Sequence, residues 1–309
     1  MKYVIYKLRF TAPVHFGKTA LSNSECTLCS DTLFSALCSE AVGGSQDKLD
    51  EVVNYVRNGV IKISDALPYF NDEYYLPKPY IFIERLSDGD SVSRKAYKTL
   101  KYVPLKDYES YLKGEYDVLS SPSINEIGVS SVKISASIRN DDNETKPYEV
   151  GTFTFNVNCG LYIIVGCDNE VCEALMDDLM MLVSCSGLGG KRSSGYGRFT
   201  YDKCVADAWL VNRLCDKSDS LMLLNTAFPK ETELEEALVG AQYSLIRRGG
   251  FVASSNYADS WQRKKDMVMF KSGSVFCRSF FGDVYDVSTN VGKHPVYRYG
   301  KPFFMRIDV

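Results

Sequence analysis

The sequence predicts an α+β fold, because segments with strand-like and helix-like hydrophobic patterns alternate along the chain. In the first two thirds these segments follow the order β, α, β, β, α, β, which is the order of a ferredoxin-like domain. A Pro- and Tyr-rich stretch interrupts this order and indicates a large insertion. The length of 309 residues favours two domains over one. We therefore expect one domain at 1–203 and a second at 204–309.

The first strand and the first helix are predicted near the N-terminus. Residues 2–10 form a β-rich alternating run, and apolar residues recur at helical spacing from Leu33 to Ala41. Ser30 and Asp31 precede this helical pattern, and Gly43-Gly44 ends it. The loop between strand and helix, residues 14–29, is placed where two rigid elements can hold a binding segment.

A protruding hairpin is predicted after the insertion, which covers residues 69–108. Its β-like arms are 132–138 and 149–155, and a polar, acidic stretch joins them. A short buried strand at 161–165, an amphipathic helix at 171–183 and a strand at 198–201 complete the order of the first domain.

The second unit is predicted to begin near Cys204. Strands are expected at 220–224, 242–246 and 302–309, and a helix with an acidic, solvated first turn at 229–237.

Composition excludes several classes of protein. Thirty-six Lys and Arg against 39 Asp and Glu give a net charge of −3, which argues against a chain that coats nucleic acid indiscriminately. No apolar run is long enough to span a bilayer, and no signal peptide is recognisable, so a cytoplasmic protein with no membrane role is expected. The ten scattered cysteines are then expected to be reduced. Cys26 and Cys29 have CxxC spacing, but no second ligand pair follows at zinc-finger distance.

The strongest local signal is the glycine-rich segment 187–199. Its five glycines alternate with cations and hydroxyls, so backbone amides and positive side chains can approach a polyanion together. It is neither a Walker A loop nor a dinucleotide fingerprint, because it follows a helix and leads into a strand. The alternative is a flexible turn between a helix and an edge strand.

A second basic patch lies in the C-terminal half. Six cations occur within residues 247–271. Phe251, Tyr257, Trp261 and Phe270 are interleaved with them, and such rings can stack on unpaired bases while the cations neutralise phosphates. The alternative is a solvated face whose aromatic residues belong to the core.

Few residues are candidates for catalysis or metal binding. His15 could act as a general base, but a hydrogen-bonding role is commoner for a solitary histidine. Glu25 and Asp31 could hold a divalent ion, although Asp31 is explained as well by a helix cap or first-turn position.

Several of these motifs together resemble a known family. They are Val14-His-Phe-Gly17, Ser30-Asp-Thr-Leu-Phe-Ser-Ala-Leu37, the hairpin with Arg139 and Gly151, and Ser186-Gly-Leu-Gly-Gly-Lys-Arg-Ser-Ser-Gly-Tyr-Gly-Arg-Phe199. The chain resembles subunit four of the type III-A CRISPR (Csm) effector complex, a member of the RAMP superfamily. The resemblance continues through Arg248-Gly-Gly-Phe251, Ser272-Gly-Ser-Val-Phe276 and Lys301-Pro-Phe-Phe304, so it covers nearly the whole chain.

This resemblance implies two tandem ferredoxin-like (RRM-related, RAMP) domains, with a β-hairpin thumb and an insertion in the first. It implies a protein without catalysis or cofactor that binds the repeat-derived 5′ handle of the crRNA in antiviral defence. The expected protein partners are the large subunit that makes cyclic oligoadenylate and the backbone RAMP subunit, subunit three. Target RNA would be contacted only indirectly.

The residues that the resemblance assigns to RNA binding come from five parts of the chain. They are His15, Gly17, Lys18, Arg139, Gly187, Gly189, Gly190, Lys191, Arg192, Ser193, Ser194, Gly195, Tyr196, Arg198, Arg247, Arg248, Gly249, Gly250, Lys271, Ser272 and Gly273. The hairpin tip carries Asp141, Asp142 and Glu144, so we expect the thumb to contact RNA through its arms.

Two other functions remain open at this point. A RAMP-type crRNA-processing endoribonuclease has a similar glycine loop, and His15 would be its candidate catalytic residue. A scaffold that binds only proteins would explain the Pro- and Tyr-rich insertion, but it leaves the two basic, glycine-rich loops unexplained.

Overall fold

The computed structural model describes residues 1–17, 20–84, 91–119, 124–138, 145–215, 217–254 and 256–308. The helices are α1 (Ser30–Gly44), α2 (Gln46–Arg57), α3 (Ser91–Thr99), α4 (Tyr108–Leu112), α5 (Glu170–Ser186), α6 (Ala208–Val211) and α7 (Glu231–Ala237). The strands up to the end of the predicted first domain are β1 (Lys2–Phe10), β2 (Phe16–Gly17), β3 (Ser24–Glu25), β4 (Ile61–Ile63), β5 (Leu67–Phe70), β6 (Glu73–Pro77), β7 (Tyr102–Pro104), β8 (Gly128–Ile138), β9 (Thr145–Phe155), β10 (Cys159–Cys167) and β11 (Phe199–Val205). The later strands are β12 (Leu221–Leu223), β13 (Leu245–Arg248), β14 (Met267–Phe270), β15 (Val275–Phe276), β16 (Val284–Asp286), β17 (Tyr297–Tyr299) and β18 (Phe304–Arg306).

A central antiparallel sheet organises the N-terminal part. β1 lies between β10 and β11, and β4 and β5 both pair with β10 on its other side. The elements β1, α1, β4, β10, α5 and β11 follow the order β, α, β, β, α, β, although the sequence pattern did not predict the strand β4. The prediction of an α+β fold is confirmed.

Both faces of this sheet are buried, and each packs against a different part of the chain. Along β10 every residue is buried, so the strand reads as a continuous apolar run. Leu161 and Ile163 pack with the helices α1 and α5, whereas Tyr162 and Ile164 pack with the insertion and with C-terminal residues such as Phe303. The C-terminal part therefore shares a core with the sheet, on the face opposite α1 and α5.

Two stretches are more regular than the sequence pattern indicated. The helix α2 follows α1 directly, with the Ser45 hydroxyl accepting the Lys48 amide at its N-terminus, and we did not predict it. The insertion is also ordered: β6 and β7 extend the sheet beyond β5, and helices α3 and α4 accompany them. The regular structure of the insertion depends on pairing between strands that are distant in sequence. A local sequence pattern cannot show such pairing.

The predicted hairpin is present. β8 and β9 pair over eleven residues each, and the described ladder ends at Ile138 and Thr145. Its base is fastened to the loop after β1, because Val14 and Phe153 exchange backbone hydrogen bonds of 2.8 and 2.9 Å. The hairpin is thus anchored beside the loop that was expected to bind a ligand.

The C-terminal part is built from short strands. β12 pairs with β15 and β18, while β13 pairs with β14 and β16 with β17. The strand predicted at 242–246 is displaced toward the C-terminus, to β13. The strand β11 continues two residues past the predicted boundary, to Val205; the division at 203 and 204 stays a prediction. None of the helices that the structure describes has the length and apolarity needed to span a bilayer.

Lys301 is a buried lysine at the junction of the two parts. Its side chain is 3% exposed, its Nζ donates to the Arg57 carbonyl at 3.1 Å, and the Phe281 ring centroid lies 2.9 Å from Nζ. Burial lowers the pKa of this ammonium to about 7. The unfolded chain retains the proton up to a pKa of about 10.4, so the stability of the protein should rise as the pH increases from 7 toward 10.

We expect Lys301→Met to remove this pH dependence. The free energy of unfolding of the native protein should rise relative to the variant by at most about 1.4 kcal/mol per pH unit. Urea unfolding of both proteins at pH 7.0 to 8.5 measures the difference, and ionisation of the cysteine thiols cancels from it because both proteins contain the same cysteines. A difference that stays constant across this range would show that Lys301 is charged in the folded state.

Candidate nucleic-acid interface

One cleft, with a volume of about 240 Å³, lies where the predicted binding segments meet. Residues from all four described segments of the prediction line it: His15, Gly17, Gly189, Gly190, Arg248, Lys271 and Ser272. These segments are distant in sequence, and the fold brings them to one site. Lys18 and Arg139 lie outside the described residues, as do the acidic residues of the hairpin tip.

The glycine loop after α5 folds back on the loop after β1. The Gly190 amide donates to the His15 carbonyl, and the Gly197 amide donates to the Pro13 carbonyl, both at 2.9 Å. A Cβ at Gly189 would lie 2.6 Å from the His15 carbonyl oxygen, and one at Gly197 would lie 2.0 Å from that of Leu188. Both glycines also have positive φ. Tight packing within the chain therefore accounts for these glycines without any ligand.

Gly190 and Gly187 are restricted in the same way. A Cβ at Gly190 would lie 2.7 Å from the ring of His15, and one at Gly187 would lie 2.8 Å from the Tyr196 carbonyl oxygen. Gly195 has open space around it, although its φ is +84°. Substituting Gly190 would consequently perturb the loop itself.

His15 is held in one orientation at the wall of the cleft. Its side chain is 6% exposed, and Nδ1 lies 2.6 Å from the Gly151 carbonyl, to which it must donate. In the neutral ring this leaves Nε2 as an acceptor, and no described residue hydrogen-bonds to Nε2. The side chain therefore fastens the hairpin base, as a hydrogen-bonding histidine does, while the backbone carbonyl of His15 accepts the Gly190 amide of the glycine loop.

The cationic side chains of the glycine loop differ in whether they have partners within the chain. Lys191 Nζ donates to the Tyr148 hydroxyl at 3.3 Å and lies 4.6 Å from that ring's centroid. Arg192 lies 3.6 Å from a Glu40 carboxylate oxygen. Arg198 is exposed and has no side-chain partner within the described part of the chain.

The remaining polar residues of this loop lie beside the hairpin. Ser193 and Ser194 are exposed in a short 3-10 turn, and the Lys133 ammonium of β8 lies 5.4 Å from the Tyr196 ring centroid. The Tyr148 contact comes from β9, so both arms of the hairpin touch the loop.

Arg248 has a buried partner that the sequence did not reveal. Its guanidinium donates to both Asp31 carboxylate oxygens at 2.8 to 3.1 Å and to the Thr32 hydroxyl at 2.7 Å. Arg298 lies 3.8 Å from the same carboxylate and is 2% exposed. Burial alone would raise the pKa of Asp31, but the charge and hydrogen bonds of Arg248 outweigh burial and lower it. Asp31 is a first-turn residue of α1, and its ion pairs join α1 to the C-terminal part.

The neighbours of Arg248 are also engaged within the chain. Arg247 is exposed and forms a salt bridge with Asp266. A Cβ at Gly249 would lie 2.1 Å from an Asp266 carboxylate oxygen, and Gly250 has a φ of +119°. This segment is a tight turn fixed by ion pairs.

Two lysines at the cleft have no acidic partner in the described structure, Lys101 and Lys271. Lys271 begins a turn in which Ser272 is buried and Gly273 has a φ of +92°. Lys101 precedes β7, so the insertion contributes to the cleft wall together with Tyr102. Sequence reasoning missed both of these insertion residues, because only the pairing of β6 with β7 places them there.

The thiols of Cys26 and Cys29 line the same cleft. Burial raises the pKa of Cys29 to about 12 and also raises that of Cys26, so both are protonated near neutral pH. Within the described ranges, no group of three or more His, Cys, Asp and Glu side chains is arranged to hold a metal ion.

The four aromatic residues of the second basic patch divide into two pairs. Tyr257 and Phe270 are 1% and 2% exposed and belong to the core, as the alternative interpretation held. Phe251 and Trp261 are 58% and 84% exposed. Only the second pair can therefore stack on a ligand.

Comparison with known proteins identifies the family. The model of the CRISPR Csm4 C-terminal domain matches residues 216–307. A Csm4 protein of the CRISPR system of Mycobacterium tuberculosis is 40% identical over 296 residues, which cover 95% of this chain and 94% of that protein. A Csm4 protein of Streptococcus thermophilus is 33% identical over the full length of both chains.

Solved structures agree in fold. This chain matches one in the crystal structure of a Csm3–Csm4 subcomplex of the type III-A CRISPR-Cas interference complex, with a TM-score of 0.67, 19% identity and complete coverage of both chains. It also matches one in a Csm1–Csm4 cassette with AMPPNP, with a TM-score of 0.62 and 18% identity over 100% of this chain and 99% of that chain. The full-length identity to curated members shows that this chain belongs to the Csm4 family of the type III-A CRISPR Csm complex.

Proposed function

We propose that this chain is a non-catalytic subunit of the Csm interference complex and binds the 5′ handle of the crRNA in the cleft. The observation that carries the proposal is the convergence of four separate segments, each with glycines, hydroxyls or cations, on one cleft. Single-stranded RNA is recognised by phosphate contacts together with hydrogen bonds and stacking to its bases. Lys101 and Lys271 supply positive charge that forms no salt bridge within the described residues, while the chain as a whole is acidic. Positive charge that is concentrated in one cleft of an acidic chain favours the binding of one RNA segment over nonspecific coating of nucleic acid.

Protein partners follow from the family. Relatives of this fold were solved in a Csm3–Csm4 subcomplex and in Csm1–Csm4 cassettes. We infer that this chain abuts the backbone subunit three and docks the large cyclic-oligoadenylate-producing subunit, and that it meets target RNA only through the crRNA. We also infer that the C-terminal part, with its β15–β12–β18 sheet and helix α7, is a reduced second copy of the ferredoxin-like fold.

A processing endoribonuclease is the competing function, and His15 gives it a specific candidate residue. Nε2 of His15 makes no hydrogen bond to a described residue, so a substrate hydroxyl could approach it. The side chain is almost fully buried between Gly17 and Gly190, however, and its other nitrogen already fastens the hairpin base. We therefore assign His15 a structural role at the binding site.

The proposal is tested by measuring the affinity of the protein for a crRNA with the true handle and for a crRNA with a scrambled handle. We expect tighter binding of the true handle and intact RNA on a denaturing gel. Equal affinity for both RNAs would contradict handle recognition. Metal-independent cleavage at the repeat, lost in His15→Ala while binding is kept, would identify a processing ribonuclease instead.

A further inference from the structure

The loop between β13 and β14 carries an exposed aromatic pair near the cleft. Phe251 and Trp261 lie edge to face, with ring centroids 6.3 Å apart, and the Arg263 guanidinium lies 5.7 Å from the Phe251 centroid. The Trp261 side chain is 84% exposed. We name Phe251, Trp261 and Arg263 the aromatic platform.

The backbone holds the platform in place. Beyond the pairing of β13 with β14, the Lys264 amide donates to the Gly250 carbonyl at 2.8 Å and the Val252 amide donates to the Gln262 carbonyl at 2.9 Å. Phe251 therefore faces Arg263 in a continued antiparallel ribbon. Ordered neighbours of this kind reduce the entropy that a ligand would have to remove on binding.

The platform lies close to the cleft along the chain. Arg248 lines the cleft and precedes Phe251 by three residues, which span at most about 11 Å. A single RNA strand that leaves the cleft on this side would therefore pass close to Phe251.

Charge favours RNA over a protein partner as the ligand. The loop from 249 to 266 has two carboxylates, and cations outside the loop neutralise both: Lys293 pairs with Asp259, and Arg247 pairs with Asp266. Arg263 and Lys265 of the loop are exposed and form no salt bridge within the described structure. Exposed rings beside unpaired cations are the combination that binds single-stranded nucleic acid.

We propose that Phe251, Trp261 and Arg263 form a second RNA site, on which an unpaired base of the crRNA stacks where the strand leaves the cleft. The inference rests on the proposed function, since it requires RNA in the neighbouring cleft. The base would stack on the indole face, and Arg263 would contact a phosphate. Stacking of this kind is tolerant of sequence because every base has a π-face.

Tryptophan emission reports the contact directly, because the chain has only two tryptophans. Trp209 is already engaged: its Nε1 donates to Glu109 at 2.6 Å, and the Arg213 guanidinium lies 4.0 Å from its ring. A Trp209→Phe variant, in which Trp261 alone emits, should be quenched on titration with a crRNA that carries the handle and the first guide nucleotides. The emission of Trp209 in a Trp261→Phe variant should be unaffected.

Affinity provides the second readout. Trp261→Ala should weaken binding of this crRNA at least about 5-fold, and Trp261→Phe should restore much of the loss because it keeps a ring. Unchanged emission together with unchanged affinity in Trp261→Ala would overturn the second site while leaving the cleft proposal intact.

Two other outcomes are equally decisive. If Trp261→Ala loses the large subunit or subunit three but keeps its RNA affinity, the platform is a protein-docking surface and the inference is wrong. If the native chain binds no RNA, the proposed function itself fails and the second site fails with it.

Discussion

Asp31→Asn is expected to destabilise the protein by about 3 to 5 kcal/mol, because it removes the buried carboxylate that pairs with both Arg248 and Arg298. Asp31 is 6% exposed and accepts three hydrogen bonds from Arg248, and Arg298 lies against the same carboxylate. The asparagine is nearly isosteric, so the variant changes charge with little change in packing. It would leave the largely buried guanidinium groups of Arg248 and Arg298 without the carboxylate that they share.

A matched control is available on the surface. Asp259 forms an ion pair with Lys293 at 2.7 Å, but the two side chains are 95% and 62% exposed. Asp259→Asn should therefore cost less than about 1 kcal/mol. Equilibrium unfolding in urea compares the two variants with the native chain. Equal losses of stability in both variants would show that the Asp31 cluster does not join the two parts of the chain.

Replacing Lys101 and Lys271 together by glutamine is expected to weaken handle binding about 25-fold in about 0.1 M salt, if each lysine contacts one phosphate. Both lysines line the cleft, and neither forms a salt bridge within the described structure. The slope of log affinity against log salt should flatten by about 1.4, since each phosphate contact to a single strand contributes about 0.7. By contrast, Lys191 and Arg192 already have partners in Tyr148 and Glu40, so we expect smaller losses there.

The control for this experiment removes the same net charge elsewhere. Lys2 and Lys48 pair with Glu173 and Asp178 of α5, and neither lines the cleft. A Lys2→Gln, Lys48→Gln variant should bind the handle with almost native affinity and an unchanged salt slope. If both double variants weaken binding equally, the effect is one of overall charge, and the cleft lysines contact no phosphate.

Local patterns were sufficient for much of the fold. Strand β1, helix α1, the hairpin arms and helix α5 each carry a strong periodic pattern that a single segment displays by itself. The sequence pattern does not predict helix α2, although Leu49, Val52, Val53 and Val56 have helical spacing, because Gly43-Gly44 indicates the end of the helical region. The insertion could not be predicted in detail, since its strands depend on pairing with β5 and with each other.

The candidate site also depends on contacts between residues that are distant in sequence. The family resemblance implied that His15, the glycine loop and the segment around Lys271 line one cleft, and residues of all three do so. It could not show that Arg248 pairs with Asp31, because 217 residues separate the two. Composition likewise could not show that Phe270 is buried while Trp261 is exposed. Which groups are free to bind a ligand is decided by tertiary contacts.

Photocrosslinking of the handle to the protein tests directly whether the RNA lies in the cleft. A crRNA with photoreactive thiouridine in its handle would be irradiated on the purified protein, and the linked peptides identified by mass spectrometry. We expect crosslinks to the segments around His15, Gly190 and Lys271, and their loss when unlabelled handle competes. Crosslinks confined to other surfaces, such as helices α2 and α3, with none in these cleft segments, would contradict it.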